Sequence, residues 1–281
     1  MSEFKNKVDF AMIIEVNHAN PNGDPLNGNR PRETYDGFGE ISDVCIKRKI
    51  RNRLQDMGEK IFVQSNDRAD DGCSSLSERT KKNAAMQAAV KAKDDEAYAK
   101  AACENWIDVR AFGQVFAFKT DKVSVGVRGP VSIHPAFSVN EINIDSIQIT
   151  KSVNGEPSES RASDTMGMKH RVDNAVYIVK GSINEQLAEK TGFTQEDAEK
   201  IKEALRTLFI NDSSAARPEG SMEVRKLYWW QHNCPMGQYS SAKVHRLLEV
   251  APKNDSPKSF EDYEIKLHNL DGLQVEEIEG I

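Results

Sequence analysis

The 281-residue chain lacks several things that would have named a function early. No stretch reaches the roughly 20 apolar residues of a membrane span, and the opening MSEFKNKVDF has no apolar run of a secretory signal. A cytoplasmic location with no membrane contact is therefore expected. Its four cysteines, Cys45, Cys73, Cys103 and Cys234, form no C-x-x-C pair, which excludes a zinc ribbon and a disulfide framework and predicts reduced, packed thiols. His232 and Cys234 have no second pair of ligands at a spacing that would complete a tetrahedral site. There is no G-x-x-x-x-G-K-[ST] loop, no H-E-x-x-H, no G-x-S-x-G and no dinucleotide fingerprint, and the six histidines are dispersed. No catalytic residue, metal or cofactor is expected. The aromatic-rich RNP1 octamer is missing too, which argues against bases stacking on a bare sheet.

Net positive charge is also absent. The formal charge of -6 speaks against a phosphate-binding domain in its simplest form. Its distribution softens the objection: Val44 to Gln55 carries five cations and no anion, while Ser256 to Ile281 holds seven acidic residues against two lysines. Screening confines charges to about 8–10 Å, so a local basic stripe can dominate at contact distance.

Hydrophobic residues make up 38% of the chain, enough for a core. In Asp9–Val16, Phe10, Met12, Ile14 and Val16 share one side at period two, with Asp9, Ala11, Ile13 and Glu15 on the other. This predicts a strand with one strongly apolar face. It runs into a loop rich in turn formers, with Gly23, Gly28, Gly37, Gly39, Pro21, Pro25 and Pro31, where Asp24 and Asp36 suit turn formation better than cation binding. Ser42 is a candidate N-cap for a helix with Ile46, Ile50, Leu54 and Met57 inward and Gly58 as stop. Lys47, Arg48 and Arg51 fall together on another flank with Gln55. Residues 65–105 read as an inserted helical segment, and Thr120-Asp121 as the turn between two strand-like runs. Ile144–Lys151 reads as a strand, and Ser152–Val172 as a long loop or protruding hairpin followed by a strand through Ala175, Tyr177 and Val179. Thr194 caps a helix with Ala198, Ile201, Leu205 and Leu208 inward, and MEVRKLYWW is the final strong strand.

The order strand, helix, insertion, strand, loop, strand, helix, strand is that of a ferredoxin-like α+β fold with large insertions. Backbone N–H groups of a glycine-rich loop can approach phosphates, and cations on the next helix can neutralise them. A solvated basic face beside an ordinary connection accounts for the same residues equally well. Met166 and Met168 flank Gly167 in a polar setting. They could wedge between bases or fold back over the core.

The run His18-Ala19-Asn20-Pro21-Asn22-Gly23-Asp24-Pro25 after a first strand, followed by GNRPR, resembles the backbone subunit of type I CRISPR surveillance complexes (Cascade). GVRGPVSIHPAF, TMGMKHRVDNAVYIVKGSIN and GSMEVRKLYWW resemble its type I-C, Csd-type branch of the RAMP superfamily. The resemblance implies a modified RNA-recognition palm (about 8–58, 106–151 and 172–250) with an inserted helical finger (65–105), a β-hairpin thumb (152–171) and an acidic C-terminal segment (256–281). It implies a non-catalytic protein that polymerises along guide RNA and presents it to target DNA, beside a guide-processing subunit and a large subunit. The RNA-contact residues expected are Asn20, Asn22, Gly23, Arg30 and Arg32 in the loop, Lys47, Arg48 and Arg51 on the helix, Arg128, and Arg161, Met166, Met168, Lys169, His170 and Arg171 in the thumb. The competing expectation is a metal-dependent endoribonuclease, with Asp24 as its test residue.

Overall fold

Strand β1 (Val8–Ala19) is the spine of the molecule and is covered on both sides. In the computed structural model, which describes residues 2–118, 124–150 and 166–281, Phe10, Met12, Ile14 and Val16 are fully buried among helical residues. Ala11 and Ile13 on the opposite side are buried as well, against Val176, Tyr228, Trp230 and Val244. The expectation of a single apolar face is thus corrected. Asp9 can lie on the second side because Lys7 Nζ and His232 Nε2 reach its Oδ2 at 3.0 and 2.9 Å. Burial works against its charge, but those partners hold its pKa below the ordinary value.

The glycine-rich connection contains two short strands, β2 (Gly23–Asp24) and β3 (Arg30–Pro31), paired antiparallel, and then β4 (Phe38–Ile41). Helix α1 (Asp43–Asp56) starts where expected: the Ser42 hydroxyl accepts from Cys45 N at 3.3 Å, and Ile46, Ile50 and Leu54 are buried. Gly58, at φ +87°, supplies the left-handed residue that ends it. Helices α2 (Leu76–Lys82), α3 (Ala84–Ala92) and α4 (Asp95–Asn105) follow, with α5 (Ile107–Phe112) and the hairpin of β5 (Gln114–Phe116) and β6 (Val125–Val127). They bury a core of their own, in which Met86, Tyr98 and Ala102 meet Phe62, Trp106 and Phe116. The Thr120-Asp121 turn lies outside the described residues.

Next come β7 (Val131–Ile133), β8 (Ala136–Glu141), β9 (Ile144–Thr150), the long β10 (Met166–Ile183), α6 (Glu185–Thr191), α7 (Gln195–Arg206) and β11 (Met222–Gln231). Thr194 and Asp197 form a full capping box, and Ala198, Ile201 and Leu205 face the core as the periodicity requires. β11, β1, β10 and β8 are hydrogen-bonded neighbours in that order, antiparallel throughout. Both α1 and α7 pack on the Phe10 face.

Beyond β11 the chain continues as α8 (Ser241–His245), β12 (Leu248–Pro252), β13 (Tyr263–Leu267) and β14 (Val275–Glu279). β14 pairs with β11 and takes the sheet edge, so MEVRKLYWW is not the last strand. Val244, Leu248 and Tyr263 cover the second face of the sheet. The acidic residues do not form a free tail: Lys226 Nζ, for example, lies 3.3 Å from Glu279 Oε1. Among the described residues no helix is long and apolar enough to cross a membrane.

Candidate nucleic-acid interface

The glycine-rich loop is a tightly tied structure. Asn22 Oδ1 accepts from both the backbone N and the hydroxyl of Ser42, at 2.9 and 2.8 Å, and so fastens the loop to the N-terminus of α1. Asn20 is buried, donating from Nδ2 to the Asn29 carbonyl at 2.7 Å. A Cβ on Gly23 would fall 2.0 Å from Asn29 Oδ1, so the Asn29 side chain packs in the space that glycine leaves. Asp24 does turn work, its Oδ1 accepting from Leu26 N at 3.1 Å. Of the two loop arginines, Arg32 lies 3.9 Å from Glu40, while Arg30 reaches across to donate to Ser146 Oγ on β9 at 2.8 Å.

The cations of α1 are largely engaged within the chain. Arg51 Nε donates to Asp108 Oδ2 at 3.0 Å and stacks on Phe112. Asp108 is fully buried and also accepts from Phe62 N and Val63 N, so Arg51 joins α1 to the helical segment's base. Arg48 donates to the Val63 carbonyl at 2.8 Å, and burial together with the nearby Arg51 charge lowers its pKa. Lys47 pairs with Asp43 one turn earlier, at 3.1 Å. Lys49 is buried against Asp212, and burial lowers its pKa.

The opposite situation holds where β9 and the first residues of β10 pair as a two-stranded ribbon, from Ile144 opposite Val172 to Thr150 opposite Met166. Directly opposed residues share a face, so Met166, Met168 and His170 lie with Thr150, Gln148 and Ser146 on one side. Gly167, Lys169 and Arg171 lie with Ile149, Ile147 and Asp145 on the other. Met166 and Met168 are 63% and 53% exposed, and do not fold back over the core. His170 Nδ1 lies 2.9 Å from Ser146 Oγ, the same hydroxyl that receives Arg30. Loop and ribbon therefore meet at one point. Lys169 has no ion-pair partner among the described residues. Of the two readings of 152–172, loop or hairpin, the described end is a strand: Met166–Val172 is continuous with Ala175, Tyr177 and Val179. Arg161 and the rest of 151–165 lie outside the described residues.

At the ribbon's root, His18 sits at φ +49°, which interrupts the alternation of β1 and leaves Asn17 and His18 both exposed. His18 Nδ1 lies 3.1 Å from Asp173 Oδ1, and Asp145 joins them. Sequence reasoning missed this grouping, because its members are distant in the chain and no periodicity connects them. The signal available was a histidine opening the loop motif. Arg128 is elsewhere. It lines a groove of about 700 Å³ with residues of α4 and α6, beside the far end of β10, where Ile183 pairs with Val131. At about 3.3 Å per residue, that is about 50 Å from Met168 along the strand.

A family model described as CRISPR-associated protein Cas7 matches residues 6–268. A protein of Haloferax volcanii named CRISPR-associated protein Cas7 is 26% identical over 291 residues, covering 94% of this chain and 82% of that one. A chain of a "CRISPR RNA-guided surveillance complex, pre-nicking" superposes with TM-score 0.48 at 15% identity, over 80% of this chain and 78% of the other. A chain of a "CRISPR RNA-guided surveillance complex" gives 0.47 at 17%, over 80% and 68%.

Proposed function

The chain belongs to the CRISPR-associated Cas7 family, and on that premise we propose that it is the non-catalytic, guide-RNA-binding backbone subunit of a type I-C surveillance complex. Copies assemble in a helical filament along the spacer, in the cytoplasm, with a guide-processing subunit and a large subunit as further partners and target DNA reached by way of the guide. The observation that carries the reading is the ribbon face on which Met166 and Met168 are exposed and His170 is joined through Ser146 to Arg30 of the glycine-rich loop. A buried core has no use for two methionines placed there. Inserted beside a base, each would gain apolar contact, and the polarizable thioether adapts to any base.

The sheet order β11-β1-β10-β8, with α1 and α7 on one face, supports a modified RNA-recognition palm, with 65–105 as finger and the ribbon as thumb. The face on which an RNA-recognition domain stacks bases is occupied here by Tyr228, Trp230, Val244 and Tyr263. Guide contacts are then left to the loop and the ribbon, with Lys47, Arg48, Lys169 and Arg171 meeting phosphates in a sequence-independent way. Arg51 serves by holding α1 in place.

Co-expression with a guide transcript tests the proposal. The chain is expected to copurify with RNA protected from nuclease at a regular interval, with the same affinity for unrelated spacers and a steep loss of affinity with salt. Monomeric chain with unprotected RNA, or magnesium-dependent cleavage of the guide precursor by the purified chain, would refute it.

A further inference from the structure

Three strands meet at the root of the ribbon, and each brings one metal-ligating side chain: His18 from β1, Asp145 from β9 and Asp173, opposite His18, from β10. Their ligand atoms all lie within 4.8 Å of one another. Bonds of about 2.0–2.2 Å from imidazole nitrogen and carboxylate oxygen to one ion place neighbouring donors about 3.0–3.5 Å apart. The 3.1 Å between His18 Nδ1 and Asp173 Oδ1 already has that spacing, and an Asp145 oxygen lies within 4.8 Å of both. Internal pairing covers part of the charge: Arg171 donates from Nε and from a terminal nitrogen to Asp145 Oδ2, both at 3.4 Å, and His18 pairs with Asp173. Two carboxylates converge here, where a dication would relieve their repulsion.

We propose that His18, Asp145 and Asp173 hold one divalent first-row metal ion that ties the ribbon to β1 and keeps open coordination positions on the Lys169 and Arg171 face. One imidazole and two carboxylates form a donor set suited to manganese, cobalt or zinc. All three side chains are exposed, so water fills the remaining positions. If the ribbon binds guide RNA, a role that rests on the function proposed above, a phosphate oxygen can take one of them. The ion then attracts the backbone where two bare carboxylates would repel it.

The metal site is tested without RNA. Tag-free full-length chain, stripped with chelator, is titrated with Co²⁺ and followed by visible absorption. One equivalent is expected to saturate the signal, and His18→Ala and Asp173→Asn should each weaken binding at least tenfold while leaving the circular dichroism unchanged. Should either variant misfold, Asp145→Asn on the exposed ribbon gives the same reading. No saturable signal up to millimolar Co²⁺, or isotherms unchanged in the variants, would overturn the site. A second measurement compares guide affinity with Mn²⁺ and with chelator: a several-fold loss on chelation in the native chain and none in Asp173→Asn supports the phosphate role, and equal behaviour of the two overturns it. Failure to bind guide under every condition would refute the proposed function and leave the cobalt titration to decide the metal site.

Discussion

Helix α1 and the β9–β10 ribbon both carry cations in their sequences, and the structure uses them in opposite ways. On α1, Arg51 is spent on Asp108, Arg48 on the Val63 carbonyl, Lys47 on Asp43 and Lys49 on Asp212. On the ribbon, Lys169 stands without an ion-pair partner among the described residues, and two methionines face solvent. The helix has the higher charge density but the fewer groups to offer a ligand. A cation buried against a carboxylate, as Lys49 is against Asp212, is closed to a ligand, whereas one in a partly open pair, such as Lys47 with Asp43, can exchange its partner for a phosphate.

That contrast can be broken most forcefully at Arg51. Replacement by alanine leaves the Asp108 carboxylate buried without its counter-ion, a loss of about 3–5 kcal/mol, expected as a large fall in the denaturant midpoint. Guide affinity per folded molecule should stay close to native. A stable Arg51→Ala protein with weakened RNA binding would reverse the assignment. The ribbon should behave in the contrary way. Met166→Ala with Met168→Ala is expected to shift stability by no more than about 0.5 kcal/mol, as exposed substitutions do, and to weaken guide binding about tenfold, about 1.4 kcal/mol. Fluorescence anisotropy with two unrelated guides checks both the size of the loss and its indifference to sequence.

A pH titration separates the core from both surfaces. His245 is buried and hydrogen-bonded to the Gly181 carbonyl, and burial lowers its pKa below the usual 6.5. The unfolded chain therefore binds its proton first as pH falls. The stability contributed by neutral His245 is present above about pH 6.5 and is lost as pH drops from there toward the lowered folded value. Melting curves between pH 7.5 and 5.5 should show this decline, and His245→Gln should flatten it. The smallest effect belongs to Lys47→Ala. Its half-buried helical pair with Asp43 is worth about 0.3–0.5 kcal/mol, so stability barely changes, while the slope of guide affinity against salt drops by about 1 if Lys47 meets a phosphate.

Local signals were legible wherever neighbours in sequence are also neighbours in space. Ser42 and Thr194 cap the helices their periodicity announced, and the Phe10 face of β1 is core. The glycine-rich run is a connection of turns and short strands, as its composition requires. Reading failed where a partner comes from far along the chain. Asp9 and Ile13 read as the less apolar side of β1, but residues beyond Gln231 return to cover them. The first strand of the ribbon is legible, but the sequence leaves the pairing of Met166–Val172 with it open between loop and hairpin, because no apolar alternation marks that stretch.

The sequence by itself determined the α+β order, the capped helices and the motif after β1, because hydrophobic period and turn chemistry act within a few residues. Only the tertiary structure decided which cations are free, which face of the sheet is closed, and that His18, Asp145 and Asp173 come together. Most of those outcomes depend on partners distant in the chain, as with Arg51 and Asp108, separated by 57, and Lys49 and Asp212, separated by 163. Such interactions act at a range of a few ångströms and leave no periodic trace in the chain.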